Sequence, residues 1–278
     1  MIFTRDIGKN LGTTKGIMDN LRTYGNAPYR IAVLHGGPGA PGEMAPVARE
    51  LSRDRGVLEP LQTADTLEGQ VDELREVLES RAALPATLIG WSWGAWLGFI
   101  LAARHPALVC KLILVGCPPF EQRFAAEIEA TRMSRLSEAE KREADRTLKR
   151  LDDISGQSHQ TSLARLGRLF AKTDSFHPLP VSDETIKLQF NIYRAVWRTA
   201  AEMRRSGDLL HLGEQIRCPV VAIHGDYDPH PAEGVQQPLE TILGDFRFIL
   251  LPKCGHAPWR EKDARSKFYA VLSKELTE

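Results

Sequence analysis

The stretch Thr87-Leu-Ile-Gly-Trp-Ser-Trp-Gly-Ala-Trp-Leu-Gly98 constrains this chain more than any other. Leu88 and Ile89 have the character of the end of a buried strand and Ala95 to Arg104 reads as a helix, so Gly90, Ser92 and Gly94 fall at the junction with the spacing GxSxG. A serine held on so sharp a turn leaves no room for a Cβ two residues before or after it, hence glycine at both places. The turn pushes the hydroxyl out above the strand end. The helix behind it aims its first backbone N–H groups at the same point, where negative charge on a reacting carbonyl would develop. The spacing alone also suits a plain strand-to-helix turn, so the remainder of the chain has to decide.

Several short aliphatic runs flank this stretch. Arg30-Ile-Ala-Val-Leu-His35 reads as a strand leading directly into Gly36-Gly-Pro-Gly39, and Cys110-Lys-Leu-Ile-Leu-Val-Gly116 as another, ended by Cys117-Pro-Pro. Between them lie helical patterns over Glu43–Arg53 and Thr66–Arg81. In the second, Leu67, Val71, Leu74 and Leu78 recur at helical spacing behind Thr66, a cap residue. Gly56-Val-Leu-Glu-Pro is too short to show a clear strand, and residues 1–29 carry turn signals that predict irregular or edge structure. Alternating strands and amphipathic helices predict an α/β fold, a mostly parallel sheet covered on both faces. The pattern then changes. Glu121–Asp153, Thr161–Lys172 and Glu184–Arg205 are helical in character, and no strand-like run returns until Pro219. The expected organisation is a core of residues 1–117 and 210–278 interrupted by a helical cap over 118–209. Strands resume with Cys218–His224 and Phe246–Pro252, and a helix over Asp263–Leu276 closes the chain.

A serine hydroxyl is a weak nucleophile near neutral pH and needs a base, a role suited to histidine, which in turn needs an acid to fix its tautomer and stabilise its cation. Candidates sit at strand ends: Asp228 in the turn Gly225-Asp-Tyr-Asp228, and His256 in Gly255-His-Ala-Pro. The order Ser92, Asp228, His256 suits a strand–turn–helix nucleophile. His224, Asp226, Asp228 and His230 also offer metal ligands within seven residues, but a metal site would leave Ser92 and His256 without a purpose. No metal or cofactor is expected. His35, His224 and His230 are read as structural hydrogen-bonding residues. Trp91, Trp93 and Trp96 are read as packing residues, with Trp93 a candidate wall of an apolar acyl pocket.

At 278 residues and 42% hydrophobic content, the chain is long enough for one large core with an inserted unit. Lysine plus arginine (36) balances aspartate plus glutamate (36), which argues against nucleic-acid or anionic-membrane partners and for a small-molecule or short-peptide substrate. The amino terminus lacks an apolar run of signal-peptide length and nothing approaches membrane-spanning length, so a cytoplasmic location is expected. Cys110, Cys117, Cys218 and Cys254 are scattered without a CxxC pair and are assigned no role.

Together, HGGPG at 35–39, GWSWG at 90–94, HGDYD at 224–228 and the Gly255-His256 pair resemble the motifs of the α/β-hydrolase superfamily, from about residue 30 to the end with the cap unmatched. The resemblance implies an α/β-hydrolase fold with Ser92 as nucleophile, His256 as base and Asp228, not Asp226, as the acid. It implies an oxyanion hole from the backbone N–H groups of Trp93 and Gly37, or Gly36 in its place. More narrowly, HGGPG resembles the prolyl iminopeptidase branch, in which acidic cap residues hold the substrate's amine; this cap offers Asp174, Asp183, Glu184 and Glu202, none fixed by a motif. The chain departs from that branch at Trp91, where glycine is usual, and at Arg53-Asp-Arg-Gly56, which lacks the later glycine and serine. The leading expectation is a serine hydrolase cleaving a small ester or amide through an acyl-enzyme, an esterase or an aminopeptidase. The alternative is a non-enzymatic small-ligand receptor on the same scaffold; an epoxide hydrolase or dehalogenase would need aspartate where Ser92 stands.

Overall fold

The computed structural model describes residues 20–152, 159–180 and 189–277. Seven strands form one sheet: β1 (Leu21–Tyr24), β2 (Tyr29–Leu34), β3 (Gly56–Pro60), β4 (Ala86–Trp91), β5 (Val109–Val115), β6 (Val220–Gly225) and β7 (Phe246–Leu251). Their spatial order is β1-β3-β2-β4-β5-β6-β7, and every pairing is parallel except that of β1 with β3. The turn-rich start of the chain therefore contributes an antiparallel edge strand, and residues 1–19 lie outside those described. β3 forms where its sequence showed no clear strand. Its Glu59 is buried, and the Tyr24 hydroxyl donates to that carboxylate at 2.6 Å, so the partner that makes the residue tolerable inside comes from β1.

Helices cover both faces, as parallel strands require. α1 (Ala45–Leu51) and the C-terminal helix α10 (Arg265–Glu275) pack against one face, where Val33, Ile89, Ile113 and Ile223 point. On the other lie α2 (Leu67–Arg81) and α3 (Trp93–Arg104), over Leu34, Leu88, Leu112 and Ala222. The alternation along each strand sends successive side chains into opposite cores. Thr66 caps α2 by accepting from Gly69 N–H at 3.0 Å. α3 buries every residue from Trp93 to Ala103, the signature of a helix enclosed on all sides.

Between β5 and β6 the chain is helical: α4 (Gln122–Ser134), α5 (Glu138–Asp152), α6 (His159–Thr173), α7 (Phe190–Ser206) and the short α8 (Asp208–His211). Leu136, Ala144 and Leu166 make a small apolar cluster of their own. α7 belongs equally to the main core: Val196 and Ala200 are fully buried in it, and the Trp197 ring stacks on Trp96 at 5.6 Å. α9 (Glu233–Ile242) follows β6 in a segment that showed no helical signal, since it contains both Gly234 and Pro238. Gly234 is needed there because a Cβ would come within 2.6 Å of Pro119 and 2.8 Å of Phe124.

Candidate active site

The carboxyl ends of β2, β4, β5, β6 and β7 converge on one edge of the sheet, where open parallel sheets place their ligands. Ser92 follows β4 directly and adopts φ 52°, ψ −118°, a backbone conformation strained for any residue with a Cβ. Its neighbours show why the turn needs its glycines. A Cβ on Gly90 would lie 2.2 Å from the Gly94 carbonyl oxygen, and one on Gly94 would lie 2.4 Å from that of Leu34 and 2.6 Å from that of His35. These obstacles are backbone and cannot swing aside. Gly94→Ala is therefore expected to destabilise the fold by about 3 kcal/mol or more, the upper range of overpacking, measured as a lowered midpoint in urea unfolding.

Asp228 lies in the turn after β6 and His256 in the loop after β7. His256 Nδ1 and Asp228 Oδ2 are 2.7 Å apart, both groups buried. Asp226, the other acid of that turn, instead accepts Cys254 N–H at 3.1 Å and ties the two loops together. Burial opposes the Asp228 charge, but the imidazoles of His256, His230 and His224 around it hold the carboxyl well below its ordinary range. Burial likewise opposes a cationic His256, and the Asp228 carboxylate more than offsets this, raising the imidazole above its ordinary value. The result is a base ready to accept a proton.

The chain neighbours of Ser92 and of Val115 pack against His256. The Trp91 ring packs 5.2 Å from the His256 ring and donates Nε1–H to the His256 carbonyl at 2.8 Å. Ser92 N–H donates to Val115 O at 3.0 Å, and the next residue, Gly116, lies so close that a Cβ there would stand 3.0 Å from His256 Nδ1 and 3.3 Å from Asp228 Oδ2. Among the described residues no hydrogen bond runs from Ser92 Oγ to His256. Such bonds are commonly long before substrate arrives and tighten in the reacting complex. Trp93 opens α3, so its N–H is one that the helix leaves unsatisfied beside Ser92, while Gly37 faces the cavity from the turn closed by Ala40 N–H to Gly37 O at 2.9 Å.

A cavity of about 280 Å³ opens on His256. Gly37, Pro38 and Ala40 form one side; Leu163 and Phe170 of α6 and Tyr193 of α7 form the other, with Trp91 at the His256 end. Trp93 has no part in it. It is fully buried in the core with Nε1–H donating to Gln70 Oε1 at 2.9 Å, which corrects its reading as a wall of an acyl pocket. A larger hollow of about 690 Å³ lies at the amino ends of the strands, around residues 25–28 and 52–56, and touches no candidate residue.

Charged groups that carry no motif also line the cavity. Arg132 of α4 and Asp174 form a two-pronged ion pair at 2.9 and 2.6 Å, so the Asp174 carboxylate is already neutralised. Glu202 is exposed on α7, and Asp183 and Glu184 fall outside the described residues. Glu43, from the loop before α1, has no hydrogen bond or ion pair within contact distance among the described residues; burial pushes its carboxyl up to about 7 against the pull of Arg260 and His256. Buried Glu261 accepts three backbone hydrogens, from Gly255 (3.1 Å), Phe176 (2.8 Å) and His177 (2.7 Å), while His256 N–H donates to Asp174 O at 2.7 Å. The loop bearing His256 is thus fastened to the segment after α6.

Of the histidines read as structural, His35 hydrogen-bonds Gly36 O at 2.7 Å and His224 Nε2 bonds the His230 carbonyl at 2.9 Å. His230 instead faces Asp228 Oδ1 at 2.6 Å. Asp228, His230 and His256 bring potential metal-ligand atoms within 4.8 Å of one another, yet both facing Nδ1 atoms are engaged in hydrogen bonds to the carboxylate. Among the described residues no helix is long and apolar enough to cross a membrane.

Known proteins share this arrangement of chain. A pimeloyl-[acyl-carrier protein] methyl ester esterase of Nitrosomonas europaea is 26% identical over 252 residues, covering 86% of this chain and 93% of the relative. An esterase structure from Exiguobacterium antarcticum superposes with a TM-score of 0.67 at 18% identity, covering 93% of this chain and 95% of its own. A proline iminopeptidase structure from Mycobacterium smegmatis gives 0.60 at 20% identity, covering 94% and 96%. The model of the Alpha/beta hydrolase family matches residues 27–268, nearly the whole sheet with the helices between its strands, and the chain belongs to that family.

Proposed function

We propose that this chain is a serine hydrolase that cleaves a small ester or amide through an acyl-enzyme on Ser92. The observation that carries this reading is the buried His256–Asp228 hydrogen bond at the strand edge where the strained Ser92 turn also ends. His256 takes the Ser92 proton as the hydroxyl attacks the carbonyl, then returns it to the leaving group; Asp228 holds the imidazole with Nδ1–H turned inward and steadies its cation. The N–H groups of Trp93 and Gly37 receive the oxyanion. Water, activated by the same imidazole, then releases the acyl group.

The names of the curated relatives, methyl ester esterases, support ester cleavage. Aminopeptidase activity is favoured by a different observation: Glu43 lines the cavity with a carboxyl that has no hydrogen-bond partner among the described residues, suited to a substrate amine. Residues 118–209 serve as a cap, supported by the residues that α4, α6 and α7 contribute to the cavity, over a core of 1–117 and 210–278. A fluorophosphonate probe is expected to label wild-type protein at Ser92; absence of labelling would defeat the enzymatic assignment and favour a small-ligand receptor. Short acyl esters and a proline arylamide, assayed side by side, separate the two activities. Ester turnover without detectable arylamide cleavage is expected for an esterase, and strong preference for the arylamide would reverse the order of the two readings.

A further inference from the structure

Three imidazoles surround one carboxylate. Asp228 Oδ2 faces His256 Nδ1 at 2.7 Å, while Oδ1 accepts from both the backbone N–H (2.9 Å) and the Nδ1 (2.6 Å) of His230. His224 stands 3.7 Å from Oδ2 and holds the His230 carbonyl at 2.9 Å. An ionised carboxylate only accepts, so each facing Nδ1 carries a hydrogen. The rings of His230 and His256 are 4.5 Å apart between centroids, too close for both to be cations without strong repulsion. Burial keeps His230 neutral, down to about 4, whereas His256 is raised. The two imidazoles share one counter-ion, and the second proton goes to His256.

We propose that His230 is a positioning residue for catalysis: it donates Nδ1–H to Asp228 Oδ1 and locks the carboxylate in the orientation that His256 needs. The inference rests on the reading of Ser92, Asp228 and His256 as the reacting set. The clamp is local, since only Pro229 separates the two residues and its ring restricts the backbone between them. Without the imidazole, one oxygen of Asp228 keeps only the backbone donor and the carboxylate can tilt. Its charge is also less dispersed, which strengthens its pull on His256.

Other groups around the cluster stay in place when residue 230 changes. They are Arg132 from α4, Asp174 from the end of α6, Glu43 from the loop before α1, and the Cys117 and Cys254 thiols from the loops after β5 and β7. A shift in the pH profile therefore reports on residue 230.

The test compares His230→Phe, which keeps the bulk and removes the donor, with His230→Asn, whose amide N–H can occupy the place of Nδ1. Ester hydrolysis is followed against pH, with fluorophosphonate labelling and Ser92→Ala measured in parallel. His230→Phe is expected to lose about 10- to 100-fold in kcat with KM little changed, the scale of one hydrogen bond to a charged group, and its acid limb moves to higher pH. His230→Asn is expected to recover most of kcat and the wild-type limb. Wild-type kcat and limb in His230→Phe would overturn the proposal, as would equal losses in both variants with an unmoved limb. Should the phenylalanine variant not fold, wild-type protein labelled with 15N-histidine decides, because the proposal requires a neutral His230 protonated at Nδ1 around pH 6 to 8; the Nε2–H tautomer would overturn it. Full activity in Ser92→Ala would instead defeat the underlying serine reading, an outcome distinguishable from failure of the His230 role.

Discussion

Ser92→Ala is expected to lower ester turnover by about 10⁶-fold, the scale seen when the nucleophile of a working triad is removed, while leaving the unfolding midpoint within a few tenths of a kcal/mol in free energy. The reason is structural. Ser92 accepts φ 52° at the head of α3 while the Gly90 and Gly94 backbones close around it, and none of these contacts involves its hydroxyl. Alanine can occupy the same strained turn. The experiment is a burst and steady-state assay with an activated ester, paired with urea unfolding. Residual turnover within about tenfold of wild type would remove Ser92 from the mechanism.

Asp228→Asn is expected to reduce kcat by about 10⁴-fold, the cost of presenting an imidazole in the wrong tautomer. An amide can donate to His256 Nδ1 and so lets the hydrogen move to Nε2, the nitrogen that must receive the serine proton. The pH profile gives a second readout with a definite sign. In the wild type, Asp228 raises His256 above its ordinary value, so activity requiring neutral imidazole climbs as pH rises through that raised value. With the carboxylate neutralised, burial is left to act on the imidazole and the acid limb moves to lower pH, while the plateau falls. A variant with wild-type kcat and an unshifted limb would mean that the 2.7 Å contact has no part in turnover.

What could be read beforehand followed from how local each signal is. The Ser92 turn was legible because its demand for small residues is met within five positions, and α2 because a capping threonine and a four-three-four apolar spacing sit in one run. Asp228 and His256 were legible as strand ends in a fixed order. Their contact was not, because it joins residues 28 positions apart. β3 escaped because its burial depends on a tyrosine from another strand, and α9 because glycine and proline obscure a helix whose packing partners lie around residues 119–124. Glu43, Arg132 and Arg260 carry no motif; only the folded chain brings them to one cavity. His230 reads as structural from sequence alone, since nothing in a sequence says which oxygen of a nearby carboxylate an imidazole will reach.

The three backbone hydrogens gathered by Glu261 have a mechanical consequence. They join the loop carrying His256 to the stretch just beyond α6, and the Asp174 carbonyl adds a fourth hydrogen bond directly at residue 256. Any excursion of that stretch away from the sheet would carry the His256 imidazole with it. This corner of the cavity is therefore expected to stay fixed when a substrate enters.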